Sequence, residues 1–183
     1  MNFTRKMLGA AAVAVGGAGL LSACAPTPAP VVPPTGPTST KTFALTCNVY
    51  VPALGTSIPS TNNATITLTG ADPTASGTGV DVTVDIDGGI KNGPLALNSG
   101  TVTAFTSLDG AAPVAIGTVS YGATAAQAFV DVPTISGTTD AVTADATVKL
   151  TSVSYTGAGS SGSASGTCGI AAGNQPSILI GVV

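Results

Sequence analysis

The sequence predicts an antiparallel β-sandwich of eight or nine short strands, and three observations lead there. Beyond Thr42, apolar residues recur mostly with a period of two, as half-buried strands require. Pairs and triplets such as Asp109-Gly110 and Asp87-Gly88-Gly89 punctuate the alternating runs with turn chemistry. The third is composition. Only 7% of the 183 residues are charged, and Glu and His are absent. A soluble helix needs polar helix formers on its wet face, whereas the Thr, Ser and Gly that replace them suit strands and turns. An all-α fold is excluded on that ground.

The elements follow in order. Phe43, Leu45, Cys47, Val49 and Val51 alternate with Ala44, Thr46, Asn48 and Tyr50, a strand with Cys47 on its buried face. Asn63–Gly70 alternates through Ile66 and Leu68. Val80, Val82, Val84 and Ile86 alternate with Asp81, Thr83, Asp85 and Asp87. Thr101–Leu108 and Val114–Tyr121 form a hairpin around Asp109-Gly110, while Asn92-Gly93-Pro94 reads as a turn. Further strands are expected at Ala126–Val132, Ala141–Tyr155, Ala164–Ile170 and Ser177–Val183. The apolar phase slips from Val148 and Leu150 to Val153 and Tyr155, which places a bulge or break near Thr151-Ser152. The resulting domain, 42–183, is immunoglobulin-like in broad architecture only, for no Trp exists to pack against a disulfide.

Residues 1–23 have the anatomy of an export signal: Arg5 and Lys6, then an apolar and glycine-rich run from Met7 to Leu21. That run is short for a bilayer core of roughly 30 Å. Leu21-Ser22-Ala23-Cys24 resembles the lipobox of bacterial lipoproteins. The resemblance implies that the Cys24 thiol carries a diacylglycerol, that cleavage precedes it, and that the new N-terminus is acylated, a stable multi-chain membrane anchor. It places the domain outside the cytoplasm, lipid-anchored to the bacterial cell membrane or envelope. The alternative is an ordinary secretory signal cut near Ala23 with a chance cysteine after it.

With Cys24 assigned to lipid, Cys47 and Cys168 remain as a pair in an oxidising compartment. A bridge between them would constrain a loop worth on the order of 4–5 kcal/mol by chain entropy. Two separate buried thiols are the alternative. Because the two cysteines lie near opposite ends of the domain, the bridge is expected to staple two sheet layers. Between anchor and domain, residues 24–41 carry Pro26, Pro28, Pro30, Pro33, Pro34 and Pro37, a semi-rigid tether. At about 3.1 Å per residue it reaches up to roughly 50 Å.

Thr42-Phe43-Ala44-Leu45-Thr46-Cys47 and the late Gly166-Thr167-Cys168 resemble the opening and closing strands of actinobacterial secreted β-sandwich domains of unknown role. With the lipobox and tether, the layout is similar to that of small surface lipoproteins. Neither resemblance implies catalytic residues.

The chemistry is sparse. Without His, Ser-His-Asp and Cys-His machinery are excluded as usually built, and G-x-S-x-G and S-x-x-K are absent. Past the signal, three lysines stand against eight aspartates, which excludes a basic nucleic-acid surface. Asp81, Asp85 and Asp87 share one strand face and are the calcium candidates, given turn carbonyls near Gly88 or Asn92. A catalytic carboxylate pair is the sharper alternative and a solvated acidic face the plainer one. Asn63-Ala64-Thr65 matches a glycosylation sequon and also a turn entering a strand.

The expectation is therefore a non-enzymatic, lipid-anchored envelope protein without a cofactor beyond its lipid. Its sandwich would meet an envelope protein, a polymer or a host surface. The runner-up is a carrier or chaperone of a small apolar or lipidic ligand held between Ala- and Val-rich inner faces. A metal-assisted hydrolase using the three aspartates comes third.

Overall fold

The computed structural model describes residues 34–183. The signal segment 1–23, Cys24 and most of the tether lie outside the described residues. Among the described residues there are nine strands: β1 (Thr38–Val51), β2 (Thr56–Gly70), β3 (Thr78–Gly88), β4 (Ser99–Leu108), β5 (Val114–Tyr121), β6 (Ile135–Val142), β7 (Ala146–Gly159), β8 (Gly162–Gly169) and β9 (Ser177–Ile180). Every ladder between them is antiparallel. The order along the sheet is β5-β4-β7-β8-β1-β2-β3-β6, with β9 on β7. The sheet curls back on itself into a near-closed sandwich, an antiparallel all-β architecture with one disulfide.

Alternation dictates the core. Leu45, Val49 and Val51 of β1, Ile66 and Leu68 of β2, and Val80, Val82 and Val84 of β3 are all buried. They meet Val102 and Ala104 of β4 and Val148, Leu150, Val153 and Tyr155 of β7 in one cluster. The opposite faces are rich in threonine, and threonines at paired register positions join hydroxyl to hydroxyl: Thr40 with Thr67 at 2.9 Å, Thr42 with Thr65 at 2.9 Å, Thr103 with Thr118 at 2.8 Å. Such cross-strand pairs satisfy polar groups without charge.

Three sequence expectations are corrected. Cys47 and Cys168 are bonded, but they do not staple two layers; they are register partners on adjacent strands β1 and β8, with Cα atoms 3.9 Å apart. The first strand and the eighth simply lie side by side, so remoteness along the chain says nothing about layers. Ala126–Val132 is not a strand. Gln127 sits at φ +60°, which interrupts extension, and the segment bonds a neighbouring loop through Asn92 N–H to Ala128 C=O and Val130 N–H to Ile90 C=O. Ala141–Tyr155 is two strands: Ala141 and Val142 end β6, a strand the alternation did not reveal, and β7 begins at Ala146.

The slip near Thr151-Ser152 is a bulge, and β7 runs through it. Phe105 pairs Ser152 and Thr106 pairs Leu150, so Thr151 is the extra residue, with its hydroxyl donating to Phe105 C=O at 3.0 Å. There the strand exchanges neighbours: Ser152–Gly159 pair β8, and Ala146–Lys149 pair β9.

The two end strands, β5 and β6, lie against each other without a ladder. Gly117 and Gly137 make that approach possible: a Cβ on Gly137 would overlap the Ile116 carbonyl, and one on Gly117 the Ser136 carbonyl.

Candidate functional site

Asp81, Asp85 and Asp87 stand on the exposed face of β3, opposite its buried valines. β2 sets Thr67 opposite Asp85 and Thr65 opposite Asp87. From the β6 side, the Thr138 hydroxyl donates to Asp81 Oδ1 at 2.7 Å and the Thr134 hydroxyl to Asp85 Oδ1 at 2.5 Å. Two of the three carboxylates are thus held apart by separate hydroxyl partners. Among the described residues no three His, Cys, Asp or Glu side chains converge as a metal site. Asp87 and Asp131 flank a shallow hollow of about 250 Å³ with the exposed Phe129 ring.

A second, smaller hollow combines burial with unspent polar chemistry. It has a volume of about 150 Å³ between β2 and the loop after β3, lined by Val49, Ile58, Ser60, Asn62, Lys91, Asn92 and Gln127 with the prolines Pro59 and Pro94. Val49 and Ile58 are inward positions of β1 and β2 and form its apolar side. Asn92 is only 2% exposed. Its Nδ2 donates to the carbonyls of Leu95 (2.6 Å), Ala125 (3.1 Å) and Thr124 (3.4 Å), tying the loop after β3 to the loop after β5. Its Oδ1 is buried and has no hydrogen-bond partner, a state that costs about 1–3 kcal/mol. Gln127 contributes from the left-handed backbone region and donates its N–H to Gly93 C=O at 3.0 Å. Lys91 supplies the only charge among the lining residues.

Two tyrosines mark the interior. Tyr121 donates to Thr156 C=O at 2.9 Å, and burial raises its pKa above the ordinary value. Tyr155 is raised further, first by burial and then by the neighbouring Tyr121; its hydroxyl has no partner. Both are inward-facing core groups. The disulfide sulfurs belong to residues at most 1% exposed, so the bridge is a structural one.

No family model, curated protein or solved structure gives a significant match to this chain. Of the predicted site residues, Cys47 and Cys168 are joined, the three aspartates share a face without converging, and Cys24 lies outside the described residues. The hollow around Asn92 escaped the sequence because Asn92-Gly93-Pro94 carries an ordinary turn signal. The one available hint was Lys91, one of only three lysines beyond the signal, set directly against that turn.

Proposed function

We propose that this chain is a lipid-anchored envelope protein whose β-sandwich is held on a proline-rich tether and serves as a non-catalytic binding module. The observation that carries the proposal is Leu21-Ser22-Ala23-Cys24 at the end of a charged and then apolar leader, followed directly by the tether. The domain fits the role of an outside scaffold. A buried disulfide closes it, and the outer seams between β1 and β2 and between β4 and β7 are joined by paired hydroxyls. The carrier alternative requires space between inner faces, and the inward positions of β1, β2, β3, β4 and β7 are filled by packed side chains. The hydrolase alternative requires the aspartates to act together, and Asp81 and Asp85 are bound to different threonines.

Intact mass analysis of the protein extracted from bacterial membranes tests the anchor. Lipid on an N-terminal Cys24 is the expected result; a chain that begins elsewhere, or an unmodified Cys24, would overturn it. Double replacement Asp85→Asn with Asp87→Asn should leave partner binding and stability unchanged, and a loss of either would return the acidic face to consideration.

A further inference from the structure

From the outer face of β8 and its two neighbours, we infer a binding groove for a neutral, linear polysaccharide. It deepens the binding-module proposal by naming the partner class, and its test reads the groove alone, so a missing lipid on Cys24 would not affect it.

The groove follows from side-chain size. The outward residues of β8 are Ser163, Ser165, Thr167 and Gly169, all small. The register sets Ser154, Thr167 and Asn48 in one row across β7, β8 and β1, and Thr156, Ser165 and Tyr50 in the next. These six residues line a shallow hollow of about 260 Å³. Outward positions on one strand are about 7 Å apart, so the floor from Ser163 to Gly169 runs about 20 Å. That length takes several sugar rings in a line.

The lining selects the partner. No charged residue occurs in residues 46–50, 152–158 or 162–169, so a partner of either charge finds no counter-charge. Elsewhere on the outer face, hydroxyls at paired register positions close on one another, as in Thr42 with Thr65 and Thr46 with Thr61. In the groove they do not. Thr156 bonds Thr101 on β4, but among the described residues the side chains of Asn48, Tyr50, Ser154, Ser165 and Thr167 bond no protein group. Hydroxyls and amides both donate and accept, as the hydroxyls of a sugar require. Tyr50 is 45% exposed, whereas Tyr121 and Tyr155 are buried. Its ring offers an apolar surface to the C–H face of a pyranose, and its hydroxyl a polar edge. A protein partner fits less well, because serine and threonine seldom carry the binding energy of protein interfaces.

Gly169 points to a ligand independently. β8 has three glycines. Gly162 takes φ +133°, and a Cβ on Gly166 would overlap the Tyr155 ring. Gly169 has neither reason: it pairs with Thr46 and Ser152, its backbone is not left-handed, and a Cβ there would meet nothing within 4 Å. Glycine weakens a strand, and where the fold does not need it, it marks close approach from outside.

The experiment is a titration of the full chain, unreduced, followed by amide nuclear magnetic resonance. Cellohexaose, maltohexaose and mannohexaose are the neutral probes, and hexagalacturonate is the charged control. Saturable shifts confined to residues 46–50, 152–156 and 163–169 are expected with at least one neutral probe, half-complete at about 1 mM and unmoved by added salt. Tyr50→Ala should weaken binding at least tenfold, and Tyr50→Phe should retain most of it. Gly169→Val should also weaken binding at least tenfold while the urea midpoint holds or rises, a separation that a glycine needed only by the fold would not show. No saturable shift with any neutral hexaose, an equal response to hexagalacturonate, or undiminished binding by Gly169→Val would overturn the proposal. So would binding to bacterial envelope fragments that survives periodate, which cleaves sugar diols, but not protease; the partner would then be a protein.

Discussion

Where β8 meets β1, Thr46–Tyr50 pair with Ser165–Gly169 and a disulfide crosses the ladder; where β5 meets β6, glycine backbones touch with no ladder at all. These two contacts join the same two halves of the sheet. One half is β1-β2-β3-β6 and the other β8-β7-β4-β5. The first closure is bonded; the second is steric, held because Gly117 and Gly137 let carbonyls come close. The pair shows that a sheet can be shut by directional chemistry on one side and by the absence of side chains on the other. Unladdered edges are exposed to foreign strands, and here each edge is covered by the other.

Breaking the bonded closure should have the largest effect. Replacing Cys47→Ala together with Cys168→Ala frees a loop with sequence separation 121, and should lower unfolding free energy by about 4 kcal/mol, read from urea midpoints. Gly137→Val attacks the steric closure. Its Cβ meets backbone rather than a movable side chain, so a loss of about 3 kcal/mol is expected, with the added risk of self-association through the opened edges. A loss below about 1 kcal/mol would show that β5 and β6 separate easily and that the bonded side alone holds the sheet.

Tyr155→Phe sharpens the bonded side from within, since Tyr155 lies on β7 opposite Gly166 of β8. Removing an unpaired buried hydroxyl should raise stability by about 1 kcal/mol. The same residue has a pH signature. Its folded pKa and that of Tyr121 are raised above 10.0, so the unfolded chain releases these protons first, and stability present below that pH falls as pH rises past it. Tyr155→Phe should remove the larger part of the alkaline fall. Thr42→Val with Thr65→Val, which deletes one exposed hydroxyl pair, should cost no more than about 0.5 kcal/mol.

The long alternations in β1 and β3 were legible because one face is apolar and the other polar throughout. β6 was not: Ser136, Gly137, Thr138 and Thr139 carry no apolar period, and Gly137 is there for the approach to β5, a demand made by a distant segment. Gln127 hid the opposite error, since Ala126–Val132 is apolar enough for a strand and only its backbone conformation prevents one. The phase slip at Thr151 did appear, because a bulge shifts every later side chain to the other face. The pairing of Cys47 with Cys168 was available from counting, but their adjacency in the sheet depends on strand order. For the candidate site, Lys91 and Asn92 could be seen but not joined to Asn62 and Gln127, which the fold brings in from 29 and 36 residues away.

The paired threonine hydroxyls have one more consequence. Cohesion between β1 and β2 on their outer face, and between β4 and its two neighbours, passes through neutral dipoles. Screening acts on charges and leaves such contacts nearly untouched. These seams should therefore hold equally well in dilute fluid and in brine, a ruggedness that the acidic outer face of β3 does not share.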